Sequence, residues 1–418
     1  VSSTATPHPA QRRVLTVLVA AQVLSGAGLA AGITVGALLA ERMLGGTSLS
    51  GVPIALFTLG SAATAVMVGR ISQRHGRRAG LAVGYWAGAA GSLGVVAAAV
   101  ADNVVLLFVS LFAYGAGTAT NLQARYAGAD LAGPQGRGRA LSTVLVATTL
   151  GAVIGPNLVT LTGDLAEVWS VPRLAGPFML AALAYGAAGL VLWLLLRPDP
   201  LLTARALADT APAATSASAT EASDAPTGRG GSVALGAAVM VLTQLVMVAI
   251  MTMTPVHMRD HGHGVGAAGL VIAVHVGAMY LPSPVTGVLV DRFGRLPVAV
   301  ASGAVLLASG MLAAFAPVHS VALLAIALGL LGLGWNLGLL SGTAIVTDAT
   351  PLATRARTQG RVDVAIAFAG AGGGMASGMI VSAGSFAVLS LAGGVIALAV
   401  IPAVASASRS SRVPAVRP

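Results

Sequence analysis

The chain has 418 residues; 56% are hydrophobic and 9% are charged, against about 25% charged in an ordinary soluble domain. So few charges cannot coat a globule of this size with solvated surface, and a mean hydropathy of +0.88 excludes a soluble enzyme in the same way. The net charge of +10 comes from arginine alone, spread between apolar runs and not gathered in one patch, so it reads as a membrane-orientation signal and not as a nucleic-acid surface.

At the N-terminus, Gln11-Arg12-Arg13 runs into a long apolar segment with no small-residue cleavage pattern, which reads as a retained first helix. A membrane helix needs about 20 mostly apolar residues. Runs of that length start near Val14, Ser50, Ala79, Val104, Ala140 and Leu174, and again near Val233, Gly264, Leu296, Val321, Val362 and Ala387. These are spans 1 to 12. They predict an all-α membrane protein of twelve helices in two six-helix bundles, residues 1–196 and 233–408. Residues 197–232, rich in Ala, Ser, Thr and Pro, read as a flexible linker, and 409–418 as a tail. The absence of cysteine excludes disulfides and Cys-ligated clusters, while 54 glycines allow close helix approach.

With the N-terminus inside, the outer loops hold only Arg42, Arg173 and Arg259, and the other 20 arginines fall inside. That bias favours cytoplasmic termini and a cytoplasmic linker. The two halves are also related. Residues 69–77 match 287–295 at an offset of 218, and the same offset pairs Asp130 with Asp348, Arg137 with Arg355, Arg139 with Arg357 and Gly155 with Gly373. One offset holding in three separated regions implies a duplicated six-helix unit.

On these residues the chain resembles the major facilitator superfamily over nearly its whole length. The family pattern between spans 2 and 3 is Gly-x-x-x-Asp-Arg-x-Gly-Arg-Arg/Lys. Here it reads Gly69 to Arg78, with Gln73 in place of the acid and Arg74, Gly76, Arg77 and Arg78 following. The second copy keeps the acid: Gly287, Asp291, Arg292, Gly294 and Arg295. Gly76 permits a turn that a Cβ would strain. The arginines Arg74, Arg77 and Arg78 can donate to C-terminal carbonyls of facing helices, where the macrodipole is negative. Such a latch would hold the halves together on the cytoplasmic side, and loss of the acid at Gln73 predicts a softer gate in the first copy, or one leaning on Asp291.

Span 5 carries Gly151-Ala152-Val153-Ile154-Gly155-Pro156, which resembles a motif of the exporter branches. Gly151 and Gly155 share a face, and Pro156 is expected to bend the helix. The arginine that many drug–proton antiporters carry in span 4 is absent: its aligned position is Leu111, and the span offers Asn121, Gln123, Arg125, Tyr126 and Asp130 instead.

Polar groups at membrane depth are few and costly, so each is a functional candidate. His275, near the middle of span 8 and followed by Tyr280, is a candidate proton carrier. Asp363, two residues after Arg361, reads either as a structural pair at the inner end or as a cation or proton site. Trp335 and Asn336 interrupt the apolar run of span 10, and Gln244 that of span 7 with Met247 close by, in spans that line the central cavity in the family; span 1 offers Gln22. A cavity of amide, indole and phenol groups suits a moderately lipophilic neutral or weakly cationic molecule. Met253, His257 and His261, spaced i, i+4, i+8, raise a second possibility, a transition-metal site, although Pro255 and Gly262 disturb the helix and no Cys completes a set.

The resemblance implies a secondary active transporter of the cytoplasmic membrane working by alternating access, with proton-coupled efflux of a small organic molecule as the leading mechanism. The alternatives are transport of a metal or metal chelate and a membrane sensor that moves nothing. The expected partners are a small-molecule substrate, a coupling proton and the bilayer, with no nucleic acid, no cofactor and no resident metal; a monomer is expected. No nucleophile–base–acid set is visible, so an enzyme is not.

Overall fold

The computed structural model describes residues 8–44, 52–210 and 232–410. The described residues are all-helical, with no strand. Helices α1 (Gln11–Leu44), α2 (Val52–Val100), α3 (Val104–Ala129), α4 (Arg137–Asn157), α5 (Val159–Val168), α6 (Gly176–Leu195) and α7 (Pro200–Asp209) come from the first half and its C-terminal extension. The second half supplies α8 (Val233–Asp260), α9 (Val265–Tyr280), α10 (Ser283–Phe293), α11 (Arg295–Phe315), α12 (Val321–Ala349), α13 (Arg355–Ala383), α14 (Phe386–Ala397) and α15 (Val400–Ser410).

Ten helical stretches among the described residues are long and apolar enough to cross a membrane. One of them, Ala55–Val100, is 46 residues long and breaks at Gly76, so it holds two spans. The run of α4 and α5 lies where the sequence predicts span 5. Large apolar side chains such as Leu93, Val105, Leu183 and Phe315 stand exposed on these helices. Such surfaces suit hydrocarbon and not water, and an all-helical backbone satisfies its own hydrogen bonds there.

The chain divides into two compact units, each one sequence half plus a short segment of the other. Unit 1 contains 1–133, 143–205 and 352–367, and unit 2 contains 134–142, 206–351 and 368–418. The exchanged segments include the first turns of α4 and of α13. The core of unit 1 is built on Leu18, Leu81, Leu107 and an aromatic group in which Phe178 meets Tyr114 edge-on at 5.3 Å and Tyr185 stacks on Tyr85 at 5.9 Å. Unit 2 packs Leu235, Val239, Ala299, Ile345 and Val400 together.

The segment between spans 2 and 3 is a single glycine joint. Gly76 has φ 89° and ψ 168°, and Gly294, its counterpart between α10 and α11, has φ 93° and ψ 165°. A side chain is strained at such a φ. The duplication inferred from the sequence is thus repeated in backbone angles. A second pair of glycines sets helix spacing. A Cβ at Gly69 would lie 2.8 Å from the Ala356 carbonyl oxygen, and one at Gly287 would lie 2.6 Å from that of Gly138.

Residues 197–232, expected as linker, begin with the ordered helix α7; 211–231 lie outside the described residues. The Asp199 carboxylate accepts from the backbone N–H of Arg78 at 2.8 Å and from those of Leu201 and Leu202 at 3.0 and 3.1 Å. One carboxylate therefore caps two helix starts, where the macrodipole favours negative charge.

Because Gly69 and Gly287 face backbone, which cannot move aside, Gly69→Val and Gly287→Val are each expected to cost about 1–3 kcal/mol. Thermal unfolding in detergent should show both variants melting below the parent.

Candidate functional site

The arginine loops build the same constellation twice. In unit 1, Gln73 on α2 meets the start of α13. Its Oε1 accepts from the N–H of Ala356 at 2.8 Å and Arg357 at 3.3 Å, and its Nε2 donates to the carbonyls of Ala353 at 2.6 Å and Leu352 at 3.2 Å. In unit 2, Asp291 on α10 meets the start of α4 and accepts from the N–H of Gly138 at 2.8 Å and Arg139 at 3.0 Å. The amide at 73 therefore does the acid's capping work and adds two donor bonds, which the expectation of a weakened first copy had not allowed for. Orphan N–H groups at a helix start need acceptors, and either side chain supplies one.

The ion pairs repeat as well. Arg77 donates from Nε to Asp130 at 2.8 Å, and from Nη2 to Gln359 at 2.6 Å. Arg355 stands 3.9 Å from the same aspartate. In unit 2, Arg295 lies 2.7 Å from Asp348, which also pairs with Arg137. Side-chain exposure separates the copies: 1% and 0% for Arg77 and Asp130, against 19% and 18% for Arg295 and Asp348.

The expectation that Arg74, Arg77 and Arg78 cap facing carbonyls is corrected. Arg77 is spent on Asp130 and Gln359. Arg78 lies over the Trp193 ring at 4.8 Å, and Arg74 is exposed. The carbonyl partners belong to other side chains: Arg205 of α7 donates to Leu352 and Gln73, and Arg295 to Pro134 at 2.7 Å. Arg292 is exposed and lies 5.5 Å from the Phe293 ring. Asp130 and Asp348 sit where they draw one arginine of each motif inward, which no reading of the motif by itself could reveal.

Deeper in unit 1, Gln22 joins a polar cluster. Its Nε2 donates to the Asn121 carbonyl at 3.1 Å and to Thr148 at 3.0 Å, and its Oε1 accepts from Tyr85 at 2.7 Å. The Asn121 amide donates to Ser25 at 2.8 Å. Tyr85, Ser25 and Thr148 escaped the sequence reading because single hydroxyls in apolar runs carry no pattern. Gly151 packs against α1, where a Cβ would meet the Val23 carbonyl oxygen at 2.2 Å. The surroundings of Gly155 and Pro156 lie outside what the structure describes.

In unit 2, the Trp335 indole N–H donates to Gln244 Oε1 at 2.7 Å, and Tyr280 meets the Trp335 ring edge-on at 5.8 Å. Met247, on the same helix as Gln244, is buried. Asn336 points elsewhere: it donates to Met279 and Ser283 at 2.7 Å each and accepts from Thr286 at 2.6 Å, binding α12 to α9 and α10. His275 is fully buried, with Nδ1 2.9 Å from the Leu328 carbonyl oxygen, while Nε2 has no partner among the described residues. Neither contact joins it to the Gln244–Trp335–Tyr280 group.

Asp363 does not pair with Arg361. Residues two apart on a helix point to different sides. Asp363 is buried and bonded by Arg125 of α3 at 2.9 Å, whereas Arg361 is exposed. At the far end of α8, His257 and His261 have ring centroids 4.4 Å apart and line a cavity of about 320 Å³ with Asp260 and Phe386. No group of three or more His, Asp or Glu among the described residues could hold a metal ion.

Comparison with known proteins agrees with this architecture. The Major Facilitator Superfamily model matches residues 18–264 and 234–417. The chain is 58% identical over 396 residues to the uncharacterized MFS-type transporter YdeG of Bacillus subtilis (strain 168), covering 94% of this chain and 91% of that protein. It is 33% identical over 365 residues to the riboflavin transporter RfnT of Brucella anthropi, covering 86% of each. Among solved structures, the human organic anion transporter MFSD10 (TETRAN) matches with a TM-score of 0.73 over 95% of this chain and 100% of that one; at 14% identity this is a likeness of fold. The chain belongs to the major facilitator superfamily. It is a multi-pass membrane protein of a family of secondary transporters, which are not enzymes.

Removing one partner of a buried ion pair costs about 3–5 kcal/mol, while exposed pairs are worth about 1 kcal/mol or less. Arg77→Ala is therefore expected to lower the detergent melting temperature more than Arg295→Ala. Equal losses would contradict the difference in burial.

Proposed function

We propose that this protein exports a small, moderately lipophilic, neutral or weakly cationic organic molecule across the cytoplasmic membrane, driven by protons. Both termini lie on the cytoplasmic side in this reading, and the chain works as a monomer. The observation that carries it is the duplicated latch. A side chain at 73 or 291 caps a helix start from the other sequence half, and an Arg–Asp pair stands beside it. A contact built twice with the same offset suits a two-part machine that closes and opens one face by alternating access.

The substrate class follows from the polar clusters. Gln244, Trp335 and Tyr280 in one unit, and Gln22, Asn121 and Tyr85 in the other, offer amide, indole and phenol groups and no fixed charge. A phosphate ester or dicarboxylate would call for inward-facing arginines. Riboflavin, the substrate in the name of one relative, is an uncharged planar heterocycle of compatible chemistry. Export as the direction rests on the span 5 motif, Gly151 to Pro156. A metal cargo finds less support, since Met253, His257 and His261 lack a third strong ligand. A sensor without flux would have no use for a duplicated gate.

The test is transport by purified protein in vesicles with an imposed pH gradient, against organic compounds including riboflavin and against divalent metals. Proton-driven movement of an organic compound is expected; movement of metals alone, or no flux, would refute the reading. Gly76→Leu and Arg77→Ala should slow turnover and leave substrate affinity near that of the parent; a pure loss of affinity would remove the latch from the cycle. If His275 carries the coupling proton, His275→Ala should uncouple flux from the gradient; unchanged proton-driven flux in that variant would exclude it.

A further inference from the structure

The charges of the two latches are duplicated, but one buried ion pair is not. Arg125 and Tyr126 of α3 and Asp363 of α13 meet inside unit 1. At the offset that relates the halves, their counterparts are Thr343, Ala344 and Leu145. The fold has therefore been built once without this pair, so packing does not require it. A buried ion pair is weak support for stability, and an ionisable group at membrane depth is costly to keep.

The geometry is lopsided in a way that bears on proton binding. Asp363 Oδ1 accepts both bonds, from Arg125 Nη2 at 2.9 Å and from the Tyr126 hydroxyl at 3.3 Å. Oδ2 is buried and has no hydrogen-bond partner among the described residues. A carboxylate forked onto an arginine would use both oxygens; this one leaves one buried oxygen bare. Arg125 meanwhile has other company: the Leu122 carbonyl, the Tyr126 hydroxyl at 3.0 Å and the face of the Tyr126 ring at 4.2 Å. The guanidinium would thus stay held when Asp363 lost its charge. The surrounding charged groups are accounted for. Arg77 of α2 is bonded to Asp130 of α3 and to Gln359; Arg355 on α13 leans on that same aspartate; Arg205 of α7 binds backbone carbonyls; and Arg361 is exposed.

We propose that Asp363, held between Arg125 and Tyr126, is a proton-binding site that controls the hold of α13 on α3. A proton adds to Oδ2 and forms a neutral carboxyl, so the pair passes from no net charge to a single positive charge on Arg125. The charge-assisted bonds to Oδ1 weaken, and the hold on α13 passes to its other contacts, among them the Gln73 cap, the Gln359–Arg77 bond and Arg355 beside Asp130. Loss of the proton restores the pair. This rests on the proton-coupled reading above and names the group that would carry its proton, in place of His275.

The test has a readout that needs no substrate. Infrared difference spectra of the purified protein between acid and neutral pH should show a protonated-carboxyl band, absent in Asp363→Asn and shifted in pH midpoint by Tyr126→Phe. Should Asp363→Asn fail to fold with Arg125 unpaired, the double variant Arg125→Gln/Asp363→Asn, with neither charge, serves instead. In vesicles these variants should lose proton-driven accumulation and keep substrate exchange. A carboxyl band that persists without Asp363, or no such band in the parent, would overturn the proposal. A parent with the band but no proton-driven flux would refute the transport reading and leave the proton site standing.

Discussion

A guanidinium or a carboxylate withdrawn from water must find its opposite, and in this chain that requirement organises everything beyond helix formation. Hydrocarbon already dictates helices, since it offers the backbone no partner. What remains to be decided is which helices bind which, and the buried charges decide it. Arg77 reaches Asp130 and Gln359 together, so α2, α3 and α13 are fixed by one side chain. Asp348 receives Arg295 and Arg137 and fixes α10–α11, α12 and α4 in the same manner.

Much of the fold was legible in the sequence because lipid makes a blunt demand on composition. Runs of about 20 apolar residues are read without alignment, and the offset of 218 residues reappears as matching glycine angles and matching ion pairs. The site was less legible. The motif at 69–78 gave the position of the latch, but the targets of its arginines depend on aspartates over fifty residues away. The exchange of Gln for Asp at 73 removes a charge, but an amide also donates, and two carbonyls lie within its reach. Asp363 stands two residues from Arg361 in sequence, but helical geometry turns the two apart, and its partner Arg125 lies on another helix.

The halves have diverged in how dry they are. The Arg–Asp pair of unit 1 is sealed and that of unit 2 is partly wetted. Unit 1 also carries the buried Arg125–Asp363 pair, which has no counterpart at the offset, and the docked helix α7 with its two-ended Asp199 cap. Duplication supplied a symmetrical frame, and the specialised chemistry has gathered on one side of it.

The one-residue joint at Gly76 ties the screw position of its two arms together, as Gly294 does for α10 and α11. A single extra residue there would lengthen the joint that sets where the next helix begins, and would move Arg77 or Arg295 off its aspartate. These joints are therefore places where chain length itself is under restraint, so that among descendants of this gene insertions and deletions should be purged at the glycines even where neighbouring side chains drift.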